Sequence, residues 1–265
     1  MIPSRFGFHS RFRAHLLPPI LSLGLAACGG GGGGTSGAST ATISTPAAIT
    51  AQTAALWNGP TSSGRNANIV MLDGGRFYFL YSGAGDATAL GGVITGLAGA
   101  TGVSIAASSA IDFNWEGLPA APAALSGSVG AASSFNGAVS YAGEPGRNFS
   151  FTSSYRLPAA EVVSLADVAG TYAGSDGTTA LHITAAGAIS GVAFSSDCAL
   201  TGSVVATKNY TTLMHLSLTF QGGSCTFGAS TVEGIAIYEA ASGKLQGVAL
   251  DAAGTRVALF QARKP

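Results

Sequence analysis

Few side chains in this sequence are of the kinds that make and break bonds. Past the first 27 residues there are two histidines, His182 and His215. Each lies on the polar side of an alternating run. Leu181 and Ile183 flank His182, while Met214, Leu216, Leu218 and Phe220 alternate with His215, Ser217 and Thr219. That period of two places both imidazoles on the solvent side of strands. The strands are second and fifth in order, so a shared acid–base site is not expected. Asp112 and Glu116, four apart around Trp115, have the residue types that flank a sugar in glycoside hydrolysis, but the spacing equally describes a loop at a strand end. No G-x-S-x-G, H-E-x-x-H or S-x-x-K motif occurs, so the usual nucleophile and zinc arrangements are missing. Cys198 and Cys225 have neither a C-x-x-C pair nor a nearby histidine cluster to complete a metal site. The expectation is a non-enzymatic chain with no cofactor.

Binding has more support in the residues. In Ile69–Asp73 and Arg76–Tyr81 both faces of a two-stranded unit are apolar or aromatic. Phe77, Phe79 and Tyr81 point one way, Tyr78 and Leu80 the other. A half-solvated strand would alternate, so this hairpin is expected to be covered on both sides. Packing between two halves of the protein would do this, and so would an aromatic patch or pocket rim that meets a partner.

The elements that must position these groups read as strands. Charged residues make up only 9% of the chain, while Gly, Ala, Ser and Thr abound, a composition suited to short strands and tight turns rather than helices. In the second half, strands are expected at Gly170–Gly174, Thr179–Thr184, Ala188–Ser195, Cys198–Ala206, Thr212–Phe220, Val232–Glu239, Lys244–Asp251 and Arg256–Gln261. About eight strands suit an up-and-down barrel or a sandwich, and consecutive hairpins favour a meander, hence the barrel, over a Greek key. The first half reads as a diverged copy. Trp57-Asn58-Gly59 matches Tyr172-Ala173-Gly174, Ile69-x-Met71 before Gly75 matches Leu181-x-Ile183 before Gly187, and Ile94-Thr95-Gly96 matches Leu200-Thr201-Gly202. The fold class is therefore all-β, with two antiparallel meander lobes over 54–156 and 169–265. A linker over 157–168 has the composition for one helical turn. The alternative is one continuous twisted sheet.

The amino-terminal segment has the layout of a secretory signal: Arg5, Arg11 and Arg13, a short apolar run interrupted by Pro18-Pro19, then small residues. The run is too short for a spanning helix, which needs about 20 residues. Leu25-Ala26-Ala27-Cys28 resembles the lipobox of bacterial lipoproteins. That resemblance implies cleavage before Cys28, a diacylglycerol on its sulfur and an acyl chain such as palmitate on the new amino terminus. More than one chain is what stable anchoring requires. Gly29 to about Thr53 then reads as a flexible tether, with an r.m.s. reach of about 25–30 Å. With Cys28 assigned to lipid and the chain exported to an oxidising compartment, Cys198 and Cys225 are expected to form a disulfide. Closing their loop stabilises by about 3.6 kcal/mol on the chain-entropy model. Removing residues 1–27 leaves nine basic against twelve acidic residues, a balance with no footprint for nucleic acid.

Together, the lipobox, the glycine tract and the Gly170-Thr171-Tyr172-Ala173-Gly174 opening of a Gly-punctuated meander resemble the surface lipoproteins of Gram-negative bacteria, of the transferrin-binding protein B and factor H-binding protein class. The resemblance implies a monomeric lipoprotein of the cell envelope, lipid-anchored in the outer membrane, whose lobes bind a protein or envelope component. Gly29 after the cysteine fits outer-membrane sorting and leaves the membrane face open. No binding residue is carried over. Two other expectations stand beside it: a lipocalin-like carrier of a small apolar ligand, since Gly-x-Tyr/Trp-x-Gly near a barrel start is similar to that group, and a structural or assembly lipoprotein on the periplasmic side.

Overall fold

The computed structural model describes residues 55–130, 133–156, 163–195, 197–207 and 210–265. Cys28, the tether and the first half of the linker lie outside the described residues.

Short alternating segments separated by turn glycines give an almost entirely β structure. The first lobe contains β1 (Ala55–Pro60), β2 (Asn66–Met71), β3 (Arg76–Gly83), β4 (Asp86–Leu97), β5 (Gly99–Thr101), β6 (Ser104–Asn114), β7 (Ala121–Val129), β8 (Phe135–Ser140), β9 (Phe149–Phe151) and β10 (Ser154–Tyr155). They form one antiparallel sheet in the order β10-β1-β2-β3-β4-β6-β7-β8-β9, with β5 branching from β6. The sheet curls until a single stretch of chain serves both edges. β9 pairs with β8, β10 pairs with β1, and bridges join Thr61 to Phe151 and Ser134 to Ser154. Edge groups that would otherwise be open to other chains are thereby paired. Trp57, Phe77, Phe79, Phe135 and Phe151 fill the concave side.

The second lobe is a closed barrel of β11 (Gly170–Gly174), β12 (Ala180–Ile183), β13 (Ala188–Val192), β14 (Ala199–Thr207), β15 (Tyr210–Phe220), β16 (Thr231–Glu239), β17 (Lys244–Leu250) and β18 (Val257–Arg263), each paired with the next. Closure runs through Ala173–Arg263 and Gly174–Ala262. Met214, Leu216, Leu218 and Phe220 of β15 point inward with Tyr172 and Phe260, and His215 points out. One helical turn, α1 (Leu165–Val168), precedes the barrel and is held by a reciprocal cap between Ser164 and Asp167. Its Val168 is fully buried against the barrel core and accepts a hydrogen bond from the Tyr172 hydroxyl. The strand expected over Ala188–Ser195 ends early, at Val192, because Phe194 turns the chain with a φ of +66°.

The two lobes repeat a local construction. Trp57 opposes Ile69 as Tyr172 opposes Leu181. After the second strand, Gly75 donates to Leu72 O and accepts from Ala98 N, while Gly187 donates to Thr184 O and accepts from Val204 N. Both glycines have positive φ, and a Cβ at either would come within 2.3 Å and 2.2 Å of the carbonyl oxygens of Ala98 and Val204. Only glycine allows that approach.

The lobes meet through their outer faces. Leu56, Val70, Tyr78, Leu80, Val93 and Phe113 pack with Leu213, Ile235, Ile237, Val248 and Leu259 in one buried cluster. Cross-strand register explains the barrel side. His215, Ile235, Val248 and Leu259 form one row across β15–β18, and Ser217, Glu233, Leu250 and Val257 form the next. At the margin, the Gln261 amide donates to Thr88 O across the lobes at 3.0 Å.

The Cys198–Cys225 disulfide is present, with a Cα separation of 4.7 Å, and ties the start of β14 to the loop after β15. The double variant Cys198→Ala/Cys225→Ala is expected to lose about 3–4 kcal/mol in urea denaturation. Ile235→Ala is expected to lose about 2–5 kcal/mol. Because Ile235 is shared by both lobes, probes in either lobe should report the same lowered midpoint. Separate midpoints would show that the interface does not couple them.

Candidate functional site

The aromatic hairpin divides between two cores. Phe77, Phe79 and Tyr81 lie in the concave core of the first lobe, and Tyr78 and Leu80 lie in the interlobe cluster. All five are buried, so β3 is covered on both faces.

Asp112 and Glu116 are both occupied by internal partners. A bulge between Ala107 and Ala110 turns Asp112 inward on β6, so it is a buried strand residue rather than part of a strand-end loop. Its carboxylate accepts from the Tyr81 hydroxyl at 2.7 Å, the Tyr141 hydroxyl at 2.9 Å and Arg147 at 3.0 Å. The Arg147 guanidinium also stacks on the Tyr141 ring at 4.3 Å. Burial, reinforced by the Asp112 charge, pushes the Tyr81 and Tyr141 hydroxyls well above the ordinary 10.0. Glu116 pairs with Arg65 at 2.6 Å and accepts from Ala84 N, and the Arg65 hydrogen bond holds its carboxyl below the usual range. Both carboxylates thus tie separate segments of the first lobe together.

Clefts open where the outer faces part, two of them sizeable. The larger, of about 750 Å³, lies between the β2–β3 end of the first lobe and the outer rows of the barrel. Leu72, Arg76 and Tyr78 form one wall, with His215, Glu233 and Leu250 opposite. His182, on β12, is exposed elsewhere on the barrel. Burial raises the Tyr78 hydroxyl and the nearby Arg76 charge partly opposes this.

The smaller cleft, of about 380 Å³, is aromatic. Asn114 Oδ1 accepts from Glu116 N and Leu118 N, turning the chain after β6 so that Trp115 stands 39% exposed and Leu118 52% exposed. Facing Trp115 across the cleft are Phe194, Phe227 and Arg256. Phe227 stacks on Phe220 at 4.7 Å, and Arg256 lies over Phe227. Phe194 and Phe227 flank Cys198 and Cys225 in sequence, so the disulfide holds this wall in place.

Of the residues singled out from sequence, the structure brings Tyr78 and His215 to one cleft and Trp115 to the other, and gives Phe77, Phe79, Leu80 and Tyr81 to the cores. Arg76 and Glu233 were hidden as polar members of alternating strands. Phe194 and Phe227 carried one usable signal, their closeness to the cysteines. Comparison with protein-family models, curated proteins and solved structures finds no match to this chain.

The Tyr81–Asp112–Tyr141 cluster makes stability fall at alkaline pH. Above pH 10 an unfolded chain releases tyrosine protons that the folded lobe retains, so each such tyrosine favours unfolding by up to about 1.4 kcal/mol per pH unit. Below that pH the contribution is fully present. Tyr81→Phe is expected to lose about 1–2 kcal/mol at pH 7 through the missing hydrogen bond, yet to lose less than the wild type between pH 10 and 11. Equal alkaline losses in the two proteins, measured by urea denaturation, would refute this.

Proposed function

We propose that the mature chain is a lipoprotein, anchored through Cys28 in the outer membrane of a Gram-negative cell envelope. Its two β-lobes act as a non-enzymatic binding module for a protein or envelope component. The observation that carries the binding half of this reading is the exposed Trp115–Leu118 loop beside the aromatic cleft. Large apolar side chains held in the open by specific hydrogen bonds, next to a concave aromatic wall, are the composition of interaction hot spots. The wall is braced by the disulfide and the loop by Asn114, so little ordering is lost when a partner docks. The anchor half rests on the lipobox resemblance and the tether-like composition after it.

The two halves have separate tests. Metabolic labelling with palmitate is expected to mark the wild type and not Cys28→Ser, and the variant should leave the membrane fraction. A photoreactive side chain at Leu118 in intact envelopes is expected to give a discrete adduct. Trp115→Ala should lower its yield about tenfold or more, the scale of a hot-spot aromatic, without changing the thermal midpoint. An adduct indifferent to Trp115, or no adduct at all, would overturn the binding surface. Persistent labelling of Cys28→Ser would overturn the anchor.

A further inference from the structure

The larger interlobe cleft holds charges that the fold does not use. Tyr78 is 4% exposed, and its hydroxyl lines the cleft without a hydrogen-bond partner among the described residues. Two positions earlier on the same face of β3, the half-buried Arg76 guanidinium likewise has no ion-pair or hydrogen-bond partner among the described residues. On the barrel wall, Glu233 is free in the same sense, and it forms no ion pair with Arg76. Asp251, also at this cleft, is already satisfied by Thr255 N, Arg256 N and the Arg256 side chain. Among the described residues the fully buried side-chain polar atom without a partner is Ser195 Oγ, so the Tyr78 hydroxyl and the Arg76 guanidinium keep access to the cleft while bonding to nothing in the protein.

Arg76 and Tyr78 together offer donors only on the scale of one small anion, since a planar guanidinium matches a carboxylate with two N–H groups. Glu233 opposite disfavours a second negative charge on the same molecule and favours an ammonium. Leu72 and Leu250 give the space between them apolar sides. The volume, about 750 Å³, lies in the range of small-ligand sites, about 300–1,000 Å³.

We propose that this cleft binds a short zwitterionic peptide, its carboxylate on Arg76 and Tyr78 and its ammonium toward Glu233. The site is distinct from the Trp115 surface and does not depend on it.

The probe is trialanine with free termini, titrated into the full chain and followed by amide NMR shifts. Saturable shifts in β3, β16 and β17 are expected at millimolar peptide. Amidating the peptide's carboxyl terminus, or making Arg76→Gln, should each weaken binding about tenfold or more, as for a lost charge-assisted hydrogen bond. Tyr78→Phe, which keeps the ring in the interlobe core, should weaken it about three- to tenfold. Acetylating the peptide's amino terminus should weaken binding to the wild type, whereas Glu233→Gln should bind free and acetylated peptide alike. A folded wild type that gives no saturable shift overturns the site. Tighter binding of inorganic phosphate than of trialanine, or indifference to either terminal block, overturns its zwitterionic character. None of these readouts involves Trp115 or an envelope partner, so failure here and failure of the crosslinking test are separable.

Discussion

A strand buried on both faces is the constraint on which this molecule turns. A barrel or curled sheet normally gives its outer face to water, and its strands alternate accordingly. In β3, and in β16 and β17 across from it, the outward positions are apolar as well. Neither lobe's surface is then stable alone, because Tyr78, Leu80, Ile235 and Val248 would form an exposed patch of the kind that drives association. Each lobe serves as the cover for the other. The contact is also registered, since Ile235 and Val248 lie in one cross-strand row with Leu259, so a one-residue slip would expose the whole set.

Convex surfaces touch along a strip and part beyond it, so the clefts follow from the way the lobes are joined. Within the strip the rows are aliphatic. At its margins they change, to the charged Arg76 and Glu233 on one cleft and to Trp115, Phe227 and Arg256 on the other. The insides of the lobes are filled with aromatic and aliphatic side chains. Tyr172, Phe220 and Phe260 occupy the barrel, and Trp57, Phe79, Phe135 and Phe151 make edge-to-face and tilted contacts in the first lobe.

Local periodicity made much of this legible. The alternation at Met214–Phe220 specified which side of β15 faces inward, and the two-sided apolar run at Phe77–Tyr81 specified a strand covered twice. The doubled Trp57/Tyr172 and Gly75/Gly187 signals marked a repeated construction, because each reflects a local steric demand. What period cannot carry is the identity of the opposite wall. Asp112 gave no hint that Tyr141, just after β8, and Arg147, in the turn Pro145–Arg147, would reach it. Arg76 and Glu233 read as ordinary polar residues, since their significance lies in lacking partners in three dimensions. An aromatic after Ile189 and Val192 fits a strand, and only the left-handed backbone of Phe194 breaks the pattern.

That backbone ties the disulfide to the clefts. A bulky residue at positive φ is disfavoured and persists when its surroundings over-determine it. Here the surroundings are the Phe220–Phe227 stack and the loop closed by Cys198 and Cys225. The covalent link thus does more than limit the unfolded chain: it fixes the aromatic wall that faces Trp115. On the other wall, Asn114 orients the Trp115 loop and also donates to Tyr81, which is bound to Asp112. The buried polar cluster of the first lobe and the disulfide of the second therefore converge on one opening. Both walls are therefore fixed from within the chain, one by a covalent bond and the other by hydrogen bonds to Asn114.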